Sequence, residues 1–121
     1  MGTFRSGFEQ RVASSLSREG VHYAYEMDRI SFIEPEKKRK YTPDFFLSNG
    51  VILEVKGRLT TADRKKHEWV KQQHPDIDLR FVFQRAKGKI YKGSKTSYAD
   101  WADKNNIPWC QGPSIPEEWT T

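Results

Sequence analysis

A Ser48-Asn49-Gly50 turn signal separates two apolar, strand-like segments, YTPDFFL (41–47) and VILEVKG (51–57), and each carries one carboxylate. Asn-Gly between such runs predicts a hairpin, because glycine supplies the positive φ that a tight turn requires. The hairpin brings Asp44 and Glu54, ten residues apart, onto adjoining strands. Lys56 lies two residues beyond Glu54, so the two side chains share one face. Leu53 and Val55 alternate with them, which predicts one buried face and one charged face. Gly57 follows directly and permits close backbone approach. Carboxylate oxygens suit a hard divalent cation. With an amine beside them, the groups can converge on one phosphate. Pro43-Asp44 alone is an ordinary turn pair, and Glu-x-Lys alone an ordinary solvated strand end. The alternation around them favours a site.

The flanking pattern is mixed. Phe4, Phe8, Val12 and Leu16 recur every four residues and predict a helix over about residues 4–19, capped by Thr3 and ended by Gly20. Glu9 sits on its polar part and is a candidate third carboxylate. VHYAYEMDRISFI (21–33) predicts one or two strands with a break near Met27-Asp28. EPEKKRK (34–40) reads as a polar bridge or loop. Thr60 to about Gln73 predicts a helix, with Thr60 or Thr61 as cap and His74-Pro75 as its stop. Asp78 to Phe83 predicts a buried strand parallel to Val51–Val55, since a helix separates the two. Lys87 to Lys95 is a basic loop, Thr96 caps a last helix to about Asn105, and the proline-containing tail is irregular but anchored by tryptophan. The fold class is α/β, with a small central sheet flanked by helices.

A chain of 121 residues is one domain by size, and 36% apolar against 31% charged content describes a polar globule. No apolar run approaches a membrane span or a secretory leader. The single Cys110 excludes an intramolecular disulfide and fits a reducing cytoplasm. A formal charge of +5 favours a polyanionic partner. A short, polar chain with a charged bridge after its first helix and strand also suggests exchange of that N-terminal unit with a second copy.

His22, His67 and His74 have no metal-ligand spacing, and Cys110 has no partner, so zinc is not expected. His67 reads as an exposed histidine on a helix beside Lys66. Trp69 with Val70 is expected to face the sheet. No phosphate-binding glycine loop, nucleophile elbow or dinucleotide fingerprint is present.

The stretches FRSGFE (4–9), YTPDFFLSNG (41–50), LEVKG (53–57), DRKKH (63–67), QHP (73–75), RFVF (80–83) and IYKGSKTSY (90–98), continuing to IPEEW (115–119), resemble the endonuclease I family of bacteriophages. Those enzymes resolve Holliday junctions and belong to the PD-(D/E)xK nuclease superfamily. The resemblance implies a restriction-endonuclease-like fold, a mixed central sheet flanked by helices. It also implies a domain-swapped homodimer in which residues 1–33 pass to the partner across a bridge at about 34–41. Glu9, Asp44, Glu54 and Lys56 would be catalytic, with Glu9 arriving from the other chain. Asp44, Glu54 and Glu9 would hold Mg2+, with Mn2+ able to substitute, one or two ions per active site. Lys56 would act either on the attacking water or as an electrostatic partner of the phosphate. The implied substrate is branched DNA, cut by paired phosphodiester hydrolysis in the cytoplasm of a phage host. The family's longer basic termini are short or absent here, which predicts weaker, more salt-sensitive binding.

Arg5, Lys37, Lys38, Arg39, Lys40, Arg58, Arg64, Lys65, Lys66, Lys89 and Lys92 are the candidate DNA-binding residues. The alternatives are a less selective nuclease of the same superfamily, and a nonenzymatic DNA-binding module on the same fold.

Overall fold

In the computed structural model, which describes residues 4–34 and 37–121, the chain runs α1 (Gly7–Arg18), β1 (Tyr23–Tyr25), β2 (Ile30–Glu34), β3 (Lys37–Tyr41), β4 (Phe45–Leu47), β5 (Val51–Lys56), α2 (Thr61–Gln73), β6 (Asp78–Phe83), α3 (Tyr98–Lys104), β7 (Trp109–Gln111) and a 3-10 turn at Glu117–Trp119. The helical spacing of Phe8, Val12 and Leu16 buries all three. Ser6 caps α1, its hydroxyl accepting the Glu9 N–H at 3.1 Å. The expected cap, Thr3, lies outside the described residues. Gly20 leaves the helix at φ +69°, a backbone region open to glycine.

The turn at 48–50 folds as its residues require, with Gly50 at φ +94° and β4 antiparallel to β5. The main sheet has the order β1-β4-β5-β6-β7; the first two pairings are antiparallel and the last two parallel. β5 is therefore central and covered on both sides. Leu53 and Val55 join Phe8, Val12, Leu16 and Trp119 in one core. Ile52 points the other way, to a second core with Leu79, Phe81, Phe83 and Trp101. The predicted charged face is itself closed off from water: Glu54 is only 4% exposed. A strand between two neighbours, with helices over it, has no solvated face to offer.

α2 makes the crossover from β5 to β6. Thr60 and Asp63 form a capping box at its start, and His74 ends it. Trp69 and Val70 pack on the separate two-stranded β2–β3 ribbon, against Phe32 and Tyr41, and not on the main sheet as expected.

Three further elements differ from expectation. Lys37–Lys40 is a strand, not a loop: β3 pairs with β2 from Ile30↔Tyr41 to Glu34↔Lys37. The ribbon leaves these cations exposed, so pairing carries no desolvation cost, and charge composition alone hides it. The tail contains a strand, β7, whose parallel pairing with β6 is prepared by the Pro108 carbonyl accepting Phe81 N–H at 2.9 Å. α3 is capped by Ser97 in place of Thr96, with Asp100 completing the box. Among the described residues no helix is long and apolar enough to cross a membrane.

Candidate active site

Asp44 precedes β4, one step beyond the Phe45↔Leu53 pair, which sets it beside Glu54 on β5. Its Oδ2 accepts the Val55 N–H at 2.8 Å, fixing the side chain against the strand. Asp44 is 7% exposed. Burial, then repulsion from Glu54, pushes Asp44 up to about 8, with Glu9 adding to the rise and the Val55 N–H and Lys56 opposing it.

Glu9 reaches this point from the first turn of α1. It is 8% exposed. Tyr25 donates its hydroxyl to Glu9 Oε1 at 2.6 Å, and Ser6 donates to Oε2 at 3.3 Å. The Tyr25 hydroxyl is held far above its usual pKa by burial and by that bond, so it remains a donor. Within the described chain Glu9 meets Asp44 in the same copy.

Glu26 joins them, and the sequence reading missed it. Glu9, Glu26 and Asp44 each present an oxygen, the three lying within 4.8 Å of one another. Glu26 sits at the break after β1 with φ 49°, a conformation unusual for a side chain of its kind, and its N–H donates to the Asp44 carbonyl at 3.0 Å. Its Oε2 is buried and accepts no hydrogen bond among the described residues, while Arg5 Nε lies 3.7 Å away. A carboxylate at a predicted strand break, one residue after an aromatic strand, was the available signal. No periodicity marks it.

Glu54 is turned to a different set of partners. Tyr41 donates its hydroxyl to Oε1 at 2.5 Å. Lys56 Nζ stands 3.2 Å from Oε2 and 3.6 Å from Asp63 Oδ1. His67, on α2, is completely buried, and its Nε2 lies 3.7 Å from Oε2. The expectation of an exposed His67 is thus overturned: α2 lays this face over the main sheet. Burial raises the Glu54 carboxyl above its usual range, although Lys56 and Tyr41 pull it down. Burial disfavours the Lys56 ammonium, but Glu54 and Asp63 outweigh that and raise its pKa. Asp63 is pushed up by burial, yet Lys56 and the Thr60 bonds hold it below the ordinary carboxylate value.

The residues fit a hard divalent cation. Oxygen ligands at about 2.0–2.6 Å from a metal lie at most about 4–5 Å apart, the spread seen for Glu9, Glu26 and Asp44. The Glu26 oxygen that accepts no hydrogen bond, and the repulsion of Glu54 and Glu9 on Asp44, are what a bound dication would relieve.

The cations divide into exposed and engaged groups. Lys37, Lys38, Arg39 and Lys40 are exposed along β3, with Arg39 Nε 3.2 Å from Glu34. An open groove of about 690 Å³ lies between the ribbon and α2, lined by Arg39, Lys40, Asp63, Lys65, Lys66 and Trp69. It leads to Asp63, the partner of Lys56. Arg5, Arg58, Lys89 and Lys92 are exposed, and Lys66 sits 5.3 Å from the Tyr41 ring centroid.

Arg64 is not free. Its guanidinium donates to the carbonyls of Leu59 at 2.9 Å and Ile90 at 3.1 Å, and to Thr61 Oγ1 at 3.0 Å. It ties the start of α2 to the basic loop. Arg64→Ala is expected to lower stability by about 1–3 kcal/mol, read as a fall in denaturation midpoint. A variant of unchanged stability and weakened DNA binding would return Arg64 to the DNA surface.

A family model described as Phage endonuclease I matches residues 1–121. The chain is 46% identical over 104 residues to a protein named Endodeoxyribonuclease 1 from Enterobacteria phage T3, covering 86% of this chain and 68% of that one. It is 41% identical over 119 residues to Endonuclease I from Escherichia phage T7, covering 98% of this chain and 79% of the relative.

Proposed function

Because the chain belongs to the phage endonuclease I family, we propose that it is a divalent-metal-dependent endodeoxyribonuclease resolving four-way junctions and other branched DNA by paired hydrolysis. The observation that supports this most is the oxygen cluster of buried Glu9 and Asp44 with half-buried Glu26, set beside the Glu54–Lys56 pair.

Hydrolysis adds a water oxygen to phosphorus and breaks one P–O ester bond. Negative charge grows on the phosphate oxygens, and the departing alkoxide needs a proton or a cation. Asp44, Glu54 and Glu9, with Glu26 alongside, would hold Mg2+ or Mn2+, which when bound polarises the phosphate and makes water more acidic. Asp44 is the common member, since its carboxyl feels both Glu54 and Glu9. Lys56 works as a cation. Glu54 and Asp63 aim it and favour its charged form, which suits it to neutralise the scissile phosphate. The β3 cations and the groove beside α2 hold flanking phosphates and position the strand.

We further assign the working form to a homodimer that exchanges residues 1–33, so that Glu9 enters each site from the partner. Two sites in one dimer permit two nicks in one encounter. Branch selectivity then comes from the spacing of positive channels, with little base reading. The protein would act in the cytoplasm of the phage host on recombination or replication branches.

The test is cleavage of an end-labelled four-way junction beside a linear duplex of the same arm sequence, with Mg2+, Mn2+ or chelator. Metal-dependent paired nicks near the branch are expected, with the linear duplex largely intact. Equal cutting of both would leave a nuclease and remove the selectivity. Tight junction binding without cutting in either metal would indicate a nonenzymatic module.

A further inference from the structure

We infer that His67 and Tyr41 are positioning residues that clamp the Glu54 carboxylate from behind and so set its orientation toward the metal and phosphate. This rests on Glu54 serving the reaction as proposed above. The clamp is formed by groups that touch neither.

The geometry is specific. Tyr41 ends the ribbon strand β3, is 2% exposed, and directs its hydroxyl at Glu54 Oε1, 2.5 Å away. His67 comes from α2, is fully buried, and directs Nε2 at Oε2, 3.7 Å away. The imidazole is wedged edge-on between the rings of Tyr41 and Phe81, at centroid distances of 5.0 and 4.8 Å. That packing fixes the ring plane. Neither ring nitrogen makes a hydrogen bond among the described residues. A buried imidazole without partners is costly, and few are kept for packing alone. A closure of about 0.8 Å would bring Nε2–H into ordinary bonding range of Glu54. Lys56 holds the same oxygen from the open side at 3.2 Å. When Lys56 turns to the phosphate, His67 is the donor left to hold Oε2. The carboxylate thus keeps its place while its ammonium partner does other work. Outer partners of this kind typically change metal affinity or activity about 10–100-fold when removed.

The variants His67→Gln, His67→Leu, Tyr41→Phe and Glu54→Gln are compared with wild type. Mn2+ binding to the DNA-free protein is measured by calorimetry, with junction affinity in chelator and single-turnover cleavage at saturating metal measured alongside. His67→Leu and Tyr41→Phe are expected to weaken Mn2+ binding or slow cleavage about tenfold or more, with junction affinity within twofold of wild type. His67→Gln keeps an N–H donor and should recover most of the loss. The inference is overturned if folded His67→Leu and Tyr41→Phe both match wild type, or if Gln is no better than Leu. If His67→Leu does not fold, Tyr41→Phe, which removes one oxygen and keeps the ring, decides alone. Glu54→Gln separates the two levels. Full activity in that variant would sink the site itself, whereas its loss beside intact clamp variants would sink only the clamp.

Discussion

Asp44→Asn is expected to remove cleavage and, in the same chain, to raise the melting temperature of the metal-free protein. The two effects share one cause. Asp44 lies buried between Glu54 and Glu9, and its pKa stands at about 8 against 3.8 for the free side chain. Because the folded value is the higher one, the stability associated with this group is fully present below pH 3.8 and is lost as the pH climbs toward about 8. At neutral pH the loss is at most about 4 kcal/mol, and water entry relieves part of it. Asparagine carries no ionisation to suppress, and its side-chain oxygen can still accept the Val55 N–H. The metal-free variant should therefore melt several degrees above wild type at pH 8, with the gap closing toward pH 4. Added Mg2+ or Mn2+ should then stabilise the wild type and leave the variant unchanged. Cleavage should fall on the order of 10²–10³-fold or more, the scale of losing one major electrostatic element. Melting curves across pH in chelator, with and without metal, check this directly. A variant that melts below wild type at pH 8 would mean that Asp44 is there to satisfy the strand.

That tension explains which parts of the molecule could be read from its residues. Patterns dictated locally were legible. Asn49-Gly50 can hardly be anything but a turn between those two strands. Thr60 with Asp63 marks a helix start, and the Phe8, Val12, Leu16 spacing marks the face that α1 buries. Asp44, Glu54 and Lys56 were legible for the same reason, because strand geometry puts them together once the hairpin is granted. Features set by tertiary pairing were not. Four consecutive cations, Lys37 to Lys40, have no strand signature until β2 lies beside them. β7 is three residues long, follows a proline, and exists because β6 offers a free edge. His67 carries no mark of burial in a segment reading DRKKH; only the docking of α2 decides its environment. Glu26 enters the acidic cluster through one left-handed backbone step. Of these, Glu26 is the one that violates a local preference, and such violations concentrate where a site is built.

Mixing Glu9→Ala chains with Lys56→Ala chains, unfolded together and refolded, is expected to restore cleavage that neither variant has alone. β2 and β3 are neighbours in one antiparallel ribbon and are consecutive in sequence, with residues 35–36 between them. If β2 and β3 instead lay end to end, they would make one long extended stretch. Its two halves could remake the same register, Ile30↔Tyr41 through Glu34↔Lys37, with a second copy. No contact of α1, β1 or β2 need be lost; each would be made by the partner. Glu9 then meets the Asp44, Glu54 and Lys56 of the other chain. In a heterodimer of the two variants, one site collects both defects and the other collects none. Random pairing makes half of the dimers heterodimers with one intact site each, so about a quarter of the wild-type sites return. Those dimers should nick a junction once rather than cut it in pairs, a product difference visible on a denaturing gel. If Glu9 serves its own chain, every site in the mixture carries one defect. Background activity in heterodimers verified by mass would then place Glu9 in cis and leave each chain with a self-contained site.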